Sequence, residues 1–215
     1  MADSDIIGKN NNIEKNKKIV IIDYGAGNLF SVKNAIKYLG ETSIISSDVD
    51  EISTADKLIL PGVGAFPDAM KMLREKGLVD VIKNAIKDRP LLGICLGMQI
   101  LFEKGYEFEE TEGLSLIEGY IDKIVAPGLK VPHMGWDNVE IINPSPLTES
   151  IKDGDMVYFV HSYKAVTDEK NICLKTTYGQ VIPALVRNGN VFGAQFHPEK
   201  SGDVGLGILK NFLEI

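Results

Sequence analysis

Residues 91–102 read LLGICLGMQILF. The first four are apolar or glycine and Pro90 bars a helix before them, so they spell a buried strand. Cys95 ends that strand, and a helix is expected to begin immediately after it. Gly93 and Gly97 flank the cysteine at G-x-C-x-G spacing. This is the pattern of a nucleophile elbow, in which a reactive side chain rides a sharp strand-to-helix turn. The residues two before and two after must then be small, because a Cβ would strike the neighbouring strand and helix. Such a turn exposes the sulfur, and a helix N-terminus beside it favours thiolate over thiol. A buried core cysteine is the commoner fate of an isolated Cys; the two glycines and the strand-to-helix switch argue against it here.

Upstream, the same alternation of strand and helix repeats. KIVIID (18–23) reads as a strand that runs into a turn at Gly25 and Gly27, after which Leu29, Val32, Ile36 and Leu39 share one helical face before Gly40. The turn is reminiscent of a dinucleotide fingerprint, but Phe30 occupies its third small position. SIISS (43–47), the apolar run 58–60, the turn Pro61-Gly62-Val63-Gly64 and helical segments around Ala69–Lys76 and Leu78–Lys87 continue the pattern, which predicts a parallel sheet. Beyond residue 113 the texture changes to short β-rich pieces: GYIDKIV, NVEII, MVYFVHSY, ICLKTT, ALVRN and VFGAQF. Arg187-Asn188-Gly189-Asn190 between the last two is a hairpin signal, so the second half should add an antiparallel or mixed layer. A final helix carries Leu206, Leu209 and Leu213 on its buried stripe, with Ser201 or Asp203 as the expected cap.

The 215 residues suit one α/β domain. Residues 1–18 (MADSDIIGKNNNIEKNKK) carry too little apolar mass to offset their ordering entropy and read as a flexible tail, leaving 19–215 as the domain. Thirty acidic against 23 basic residues give a net charge of −7, which disfavours a nucleic-acid partner. No apolar window is long enough to span a membrane and no secretory signal is visible, so neither a membrane nor export is expected and the cytoplasm is the expected compartment. Two cysteines make no disulfide framework, and Cys173 in ICLKTT reads as core. The three histidines lack H-x-x-x-H spacing and no C-x-x-C is present, so no metal and no cofactor are expected. His133 in VPHMGWDNV and His161 in VYFVHSY read as hydrogen-bonded structural histidines.

A cysteine that attacks a carbonyl needs a base, and His197 in QFHPEKS is placed to supply one. It follows the apolar strand VFGAQF, so it should emerge at the strand end, the edge where an elbow presents its nucleophile. Pro198 restricts His197 to extended geometry, and in an extended segment Glu199 projects to the same side, where it can hold one imidazole nitrogen while the other faces Cys95. Backbone N–H groups of Gly62, Val63 and Gly64, together with that of Leu96, are candidate donors to an oxyanion.

The set GICLGMQ, PGVG, PHMGW, FVHSY and HPEKS, in this order over nearly all of residues 19–215, resembles the class I glutamine amidotransferases. PHMGW together with HPEKS is most similar to their branch of glutaminase subunits serving imidazole glycerol phosphate synthase in histidine biosynthesis. The resemblance implies a three-layer, flavodoxin-like α/β fold: a central, mostly parallel sheet flanked by helices, with additional antiparallel β elements in the second half. It implies the triad Cys95, His197 and Glu199, hydrolysis of glutamine to glutamate and ammonia through a thioester, and delivery of the ammonia through a channel to a (β/α)8-barrel cyclase partner in a heterodimer. By the same resemblance Gln99 and Tyr163 lie near bound glutamine, and Trp136 and Lys200 lie toward the partner. The PGVG strand would reorient when that partner is loaded with ligand. Two alternatives stay open at this point: a paralogous subunit feeding a sugar amidotransferase in surface-polysaccharide synthesis, and a catalytically silent binding or regulatory module on the same fold.

Overall fold

The computed structural model describes residues 17–215. The first half runs β1 (Ile19–Ile22), α1 (Leu29–Tyr38), β2 (Ser43–Ser46), α2 (Val49–Ser53), β3 (Lys57–Gly62), α3 (Phe66–Glu75), α4 (Leu78–Ala85), β4 (Leu91–Cys95) and α5 (Leu96–Gln99). The second half runs β5 (Phe102–Gly105), β6 (Thr111–Glu112), β7 (Ile117–Lys123), β8 (His133–Asn138), β9 (Glu140–Ile141), β10 (Met156–His161), β11 (Tyr163–Val166), β12 (Ile172–Thr177), β13 (Val181–Asn188), β14 (Val191–Ala194) and α6 (Gly202–Glu214). The expected tail falls, as far as Asn16, outside the described residues. Lys17 donates to the carbonyls of Leu213 and Ile215, and the Lys18 N–H donates to Asp56 at 2.7 Å.

An eight-stranded sheet in the order β2-β1-β3-β4-β14-β13-β12-β9 forms the centre. Strands β2, β1, β3, β4 and β14 are parallel, and the sheet continues antiparallel through β13, β12 and β9. Burial on both faces explains why β1, β3, β4 and β14 are almost wholly apolar or glycine. Because side chains alternate, Val20, Ile22, Leu58 and Leu60 share one core with Leu73, Leu78 and Ile82 of α3 and α4. Ile19, Ile21, Ile59 and Leu92 share the other with Val32 and Ile36 of α1 and Leu209 and Phe212 of α6. Each such fully buried aliphatic or aromatic side chain contributes roughly 1.5–3 kcal/mol. Helices on both faces of one sheet give the three layers.

Two smaller sheets stand beside this body: a ribbon of β8 with β10, and a four-stranded sheet in the order β11-β7-β5-β6. The Arg187–Asn190 signal is a hairpin between β13 and β14, with Gly189 at φ 59°. The piece NVEII is not one strand. Residues up to Asn138 pair with β10 and Glu140–Ile141 pair with β12, so the chain changes sheets at the buried Val139. The helix after Cys95 is only four residues long, because Phe102–Gly105 is recruited into the sheet beside β7. Its macrodipole is correspondingly small, and what it offers near Cys95 is the unpartnered N–H groups of one turn. Ser201 precedes α6 without a side-chain cap. Its hydroxyl donates instead to the His197 carbonyl at 2.7 Å and accepts from the Tyr158 N–H at 2.9 Å, tying the His197 turn to β10.

Candidate active site

Strands β3, β4 and β14 lie side by side and parallel, so their C-terminal ends open on one edge of the sheet. Cys95 closes β4 with φ 55° and ψ −110°, a backbone conformation that costs a residue with a Cβ on the order of 1–3 kcal/mol. The flanking glycines are a packing requirement. A Cβ on Gly93 would sit 2.6 Å from the carbonyl oxygen of Gly97, and a Cβ on Gly97 would overlap the carbonyl oxygen of Leu60 in β3. Gly62 belongs to the same arrangement. It pairs with Cys95 in the ladder, and a Cβ there would come within 2.8 Å of the Gly97 nitrogen and strike the Tyr24 hydroxyl. Gly62 therefore lets the turn approach β3 and does not line the cavity, whereas Val63 and Gly64 do.

The cavity, about 370 Å³, is bounded by Cys95, Leu96, Gln99, Glu107, Tyr163 and His197, with Lys200 at its margin. Cys95 Sγ lies 3.8 Å from the Val160 carbonyl oxygen and 3.9 Å from Gln195 Nε2. His197 is 4% exposed and its Nδ1 meets Glu199 Oε1 at 3.0 Å. The contact does not arise from an extended strand, as the sequence suggests. His197 is extended, but Pro198–Lys200 form a 3-10 turn, and that turn brings the carboxylate back to the ring. Burial, the largest single influence on His197, lowers its pKa. Hydrogen bonds to Cys95 and Glu199 and the charges of both outweigh it and raise the value to about 9.

Gln99 is buried and its Nε2 donates to the Tyr163 carbonyl and to Gln195 Oε1, both at 3.1 Å. Two residues went unnoticed in the sequence. Gln195 sits on the strand end beside Cys95, and Glu107 puts a carboxylate on the cavity wall while its Oε2 accepts from the Phe66 N–H at 2.7 Å. Burial raises the Glu107 pKa, partly opposed by that N–H. Glu107 lies in an irregular stretch between β5 and β6, and its partner is 41 residues away, so no local pattern announces it. Trp136 is 52% exposed, packs edge-on against Tyr158 at 5.9 Å and reaches the start of α6, the same side as Lys200. Cys173 is buried in the second core, where burial raises its pKa. His133 and His161 contact each other, with His161 on the cavity wall. Among the described residues no three His, Cys, Asp or Glu side chains converge as a metal site, and no helix is long and apolar enough to cross a membrane.

The family model for glutamine amidotransferase class-I matches residues 20–215. The chain belongs to the class I glutamine amidotransferases. It is 54% identical over 200 residues to the imidazole glycerol phosphate synthase subunit HisH of Lactococcus lactis subsp. lactis (strain IL1403), covering 92% of this chain and 98% of that protein. It is 51% identical over 195 residues to the HisH subunit of Bacillus thuringiensis (strain Al Hakam), covering 90% and 93%. The amidotransferase fold is also shared with a solved glutamine amidotransferase, at TM-score 0.71 and 22% identity over 91% of this chain and 97% of that one. The structure of PurLQS from Thermotoga maritima aligns at TM-score 0.71 and 23% identity over 93% and 98%. For this amidotransferase chain, the match spans both the parallel body and the antiparallel half.

Proposed function

We propose that this chain is the glutaminase subunit of imidazole glycerol phosphate synthase in histidine biosynthesis. The observation that carries the reading is the left-handed Cys95 turn opening on the same cavity as the His197–Glu199 pair, in a chain about half identical to HisH subunits over nearly its whole length.

At neutral pH His197 is an imidazolium hydrogen-bonded to Cys95, whose sulfur is the nucleophile. The sulfur attacks the side-chain amide carbon of glutamine. The resulting oxyanion is met by the Leu96 N–H, free at the first position of α5, and by an N–H of Val63 or Gly64. His197 gives its proton to the departing nitrogen, and ammonia leaves with the thioester formed. The neutral imidazole then takes a proton from water, which attacks the thioester to release glutamate, free the sulfur and leave His197 protonated. Glu199 holds the ring in place and balances its charge in both steps. Gln99 and Tyr163 border the bound glutamine, and Glu107, a carboxylate on the wall, pairs with its α-ammonium group.

The ammonia passes to a (β/α)8-barrel cyclase subunit that docks across the surface carrying Trp136 and Lys200. The chain works in the reducing cytoplasm, consistent with two buried free thiols. The 63–64 turn completes the oxyanion site only in that complex. The test is complementation of a histidine auxotroph lacking this subunit. The wild-type chain restores growth, whereas Cys95→Ala does so only with added ammonium. In the purified complex, Cys95→Ala lowers glutamine-dependent turnover by about 10⁴-fold or more and leaves ammonium-dependent turnover intact. Retained glutamine-dependent turnover in the variant would refute the nucleophile.

A further inference from the structure

A pair of buried histidines lies at the cavity wall, with His161 lining it and His133 behind. His161 closes β10 and faces His133 of β8 in the antiparallel register, and His133 Nδ1 lies 3.0 Å from His161 Nε2. On its other side, His161 Nδ1 is 2.8 Å from the Tyr163 carbonyl oxygen. His133 is clamped between Tyr178, stacked at 4.0 Å, and Phe159, stacked at 4.6 Å. Both histidines are almost fully buried.

The hydrogen-bond directions are dictated by chemistry. A carbonyl oxygen only accepts, so His161 Nδ1 carries a proton. Burial, the largest influence on His161, pushes its pKa down to about 4; at neutral pH the ring has one proton only, and its Nε2 is an acceptor. Burial, the largest influence on His133, lowers its pKa as well, so this ring also holds one proton at neutral pH; its Nδ1 donates to His161 Nε2, which leaves His133 Nε2 as an acceptor 3.4 Å from Asp137 Oδ2. Two acceptors at that distance do not attract, and the directional chain runs one way: His133 to His161 to the Tyr163 carbonyl. That carbonyl also receives Gln99 Nε2, and the segment it belongs to begins at Val160, whose carbonyl faces Cys95 Sγ.

Resting on the glutaminase reading above, we propose that His161, braced by His133, is a positioning residue for the substrate. The pair is a strut that fixes the 160–163 wall and the Tyr163 carbonyl, so that Gln99 and Tyr163 are held ready against glutamine. Neither ring contacts Glu199 or lies within the triad, so the strut governs binding of the substrate and not its chemistry. Removing it costs ground-state and transition-state binding alike.

The experiment has two arms. Nitrogen-15 NMR of the labelled full-length chain, free of its partner, looks for scalar coupling across the N–H···N bond between the two rings. Its presence at neutral pH is expected, and its absence overturns the strut whether or not the protein hydrolyses glutamine. In the second arm, glutaminase kinetics of the complex are measured for His133→Leu and His133→Asn. Leu abolishes the donor and raises KM for glutamine by about tenfold, the worth of one buried hydrogen bond, with kcat changed by less than about twofold. Asn places an amide N–H near the position of Nδ1 and returns KM to within about threefold of wild type. A purely structural role predicts a smaller folded fraction, so that kcat falls while KM stays, and that result overturns the positioning role. So does an unchanged KM in His133→Leu. If the wild-type complex itself lacks glutaminase activity, the proposed function fails and the positioning role fails with it, while the NMR arm still decides whether the strut exists.

Discussion

His197 and His161 are both buried, both stand on the same cavity, and each has a ring nitrogen 3.0 Å from a side-chain partner, yet their proton affinities move in opposite directions. Burial is the largest influence on both and pulls both down. What separates them is the partner. His197 faces Glu199 and Cys95, whose hydrogen bonds and charges raise it to about 9; His161 faces a carbonyl and another imidazole, neither with a negative charge, and falls to about 4. Depth alone thus says little about a histidine's charge. The nearest anion decides whether a buried ring is a working acid or a neutral strut.

The sharpest way to break this contrast is Glu199→Gln, which keeps the shape of the His197 partner and removes its charge. Burial is then opposed mainly by Cys95, and the His197 pKa should drop below 9. Glutamine turnover at neutral pH should fall by about a thousandfold or more, as when the acidic member of other triads is neutralised. A pH–rate profile superimposable on wild type would show that Glu199 does not set the charge of His197.

The stability profile offers the next largest effect. A raised folded pKa stabilises the fold fully below the unfolded value near 6.5, and this contribution disappears as pH rises through about 9. Denaturant unfolding of wild type should lose more stability between these limits than that of Glu199→Gln, whose His197 keeps only the Cys95 part of the upward shift. His161 should act in the opposite sense. Its folded pKa is lowered, so the native state is penalised as pH falls from 6.5 toward 4 and the unfolded chain takes up the proton. His161→Asn, which keeps a donor for the Tyr163 carbonyl, should flatten this acid limb by about 1.5 kcal/mol between pH 6.5 and 5. An acid limb of unchanged slope would mean that His161 is not held neutral. The smallest effect is expected from Asp137→Asn. An amide can donate to His133 Nε2 where a carboxylate cannot, so unfolding free energy should rise by at most about 1 kcal/mol at pH 7; a loss of stability would show that His133 is cationic.

The parts of the site that were legible in the sequence share a cause. Gly93, Cys95 and Gly97 record a steric demand written into five consecutive residues, because the turn folds back on Gly93 and presses against β3. His197 and Glu199 are two residues apart, so one turn of chain suffices to join them. The alternation of buried runs and amphipathic stretches disclosed the parallel half, since each strand there is buried on both faces. The antiparallel half was read less well. NVEII was divided between two sheets, and HMGWDN, with polar and apolar residues mixed, gave no strand signal although it pairs along its whole length with β10. The packing demand on Gly62, which admits the neighbouring turn, was not read from the sequence, where Gly62 figured only as a candidate oxyanion donor.

Cys95, His197, Glu199 and the strand-to-helix rhythm around them were determined by the sequence itself, because the residues that mark them, two glycines about a cysteine and a His and Glu two apart, stand close together along the chain. Glu107 on the cavity wall, Gln195 beside the sulfur and the contact between His133 and His161 were decided only by the tertiary structure. They depend on separations of 41, 100 and 28 residues. Burial and the charge of a distant neighbour, which set whether a histidine is an acid or a brace, come into being only once the sheets have packed.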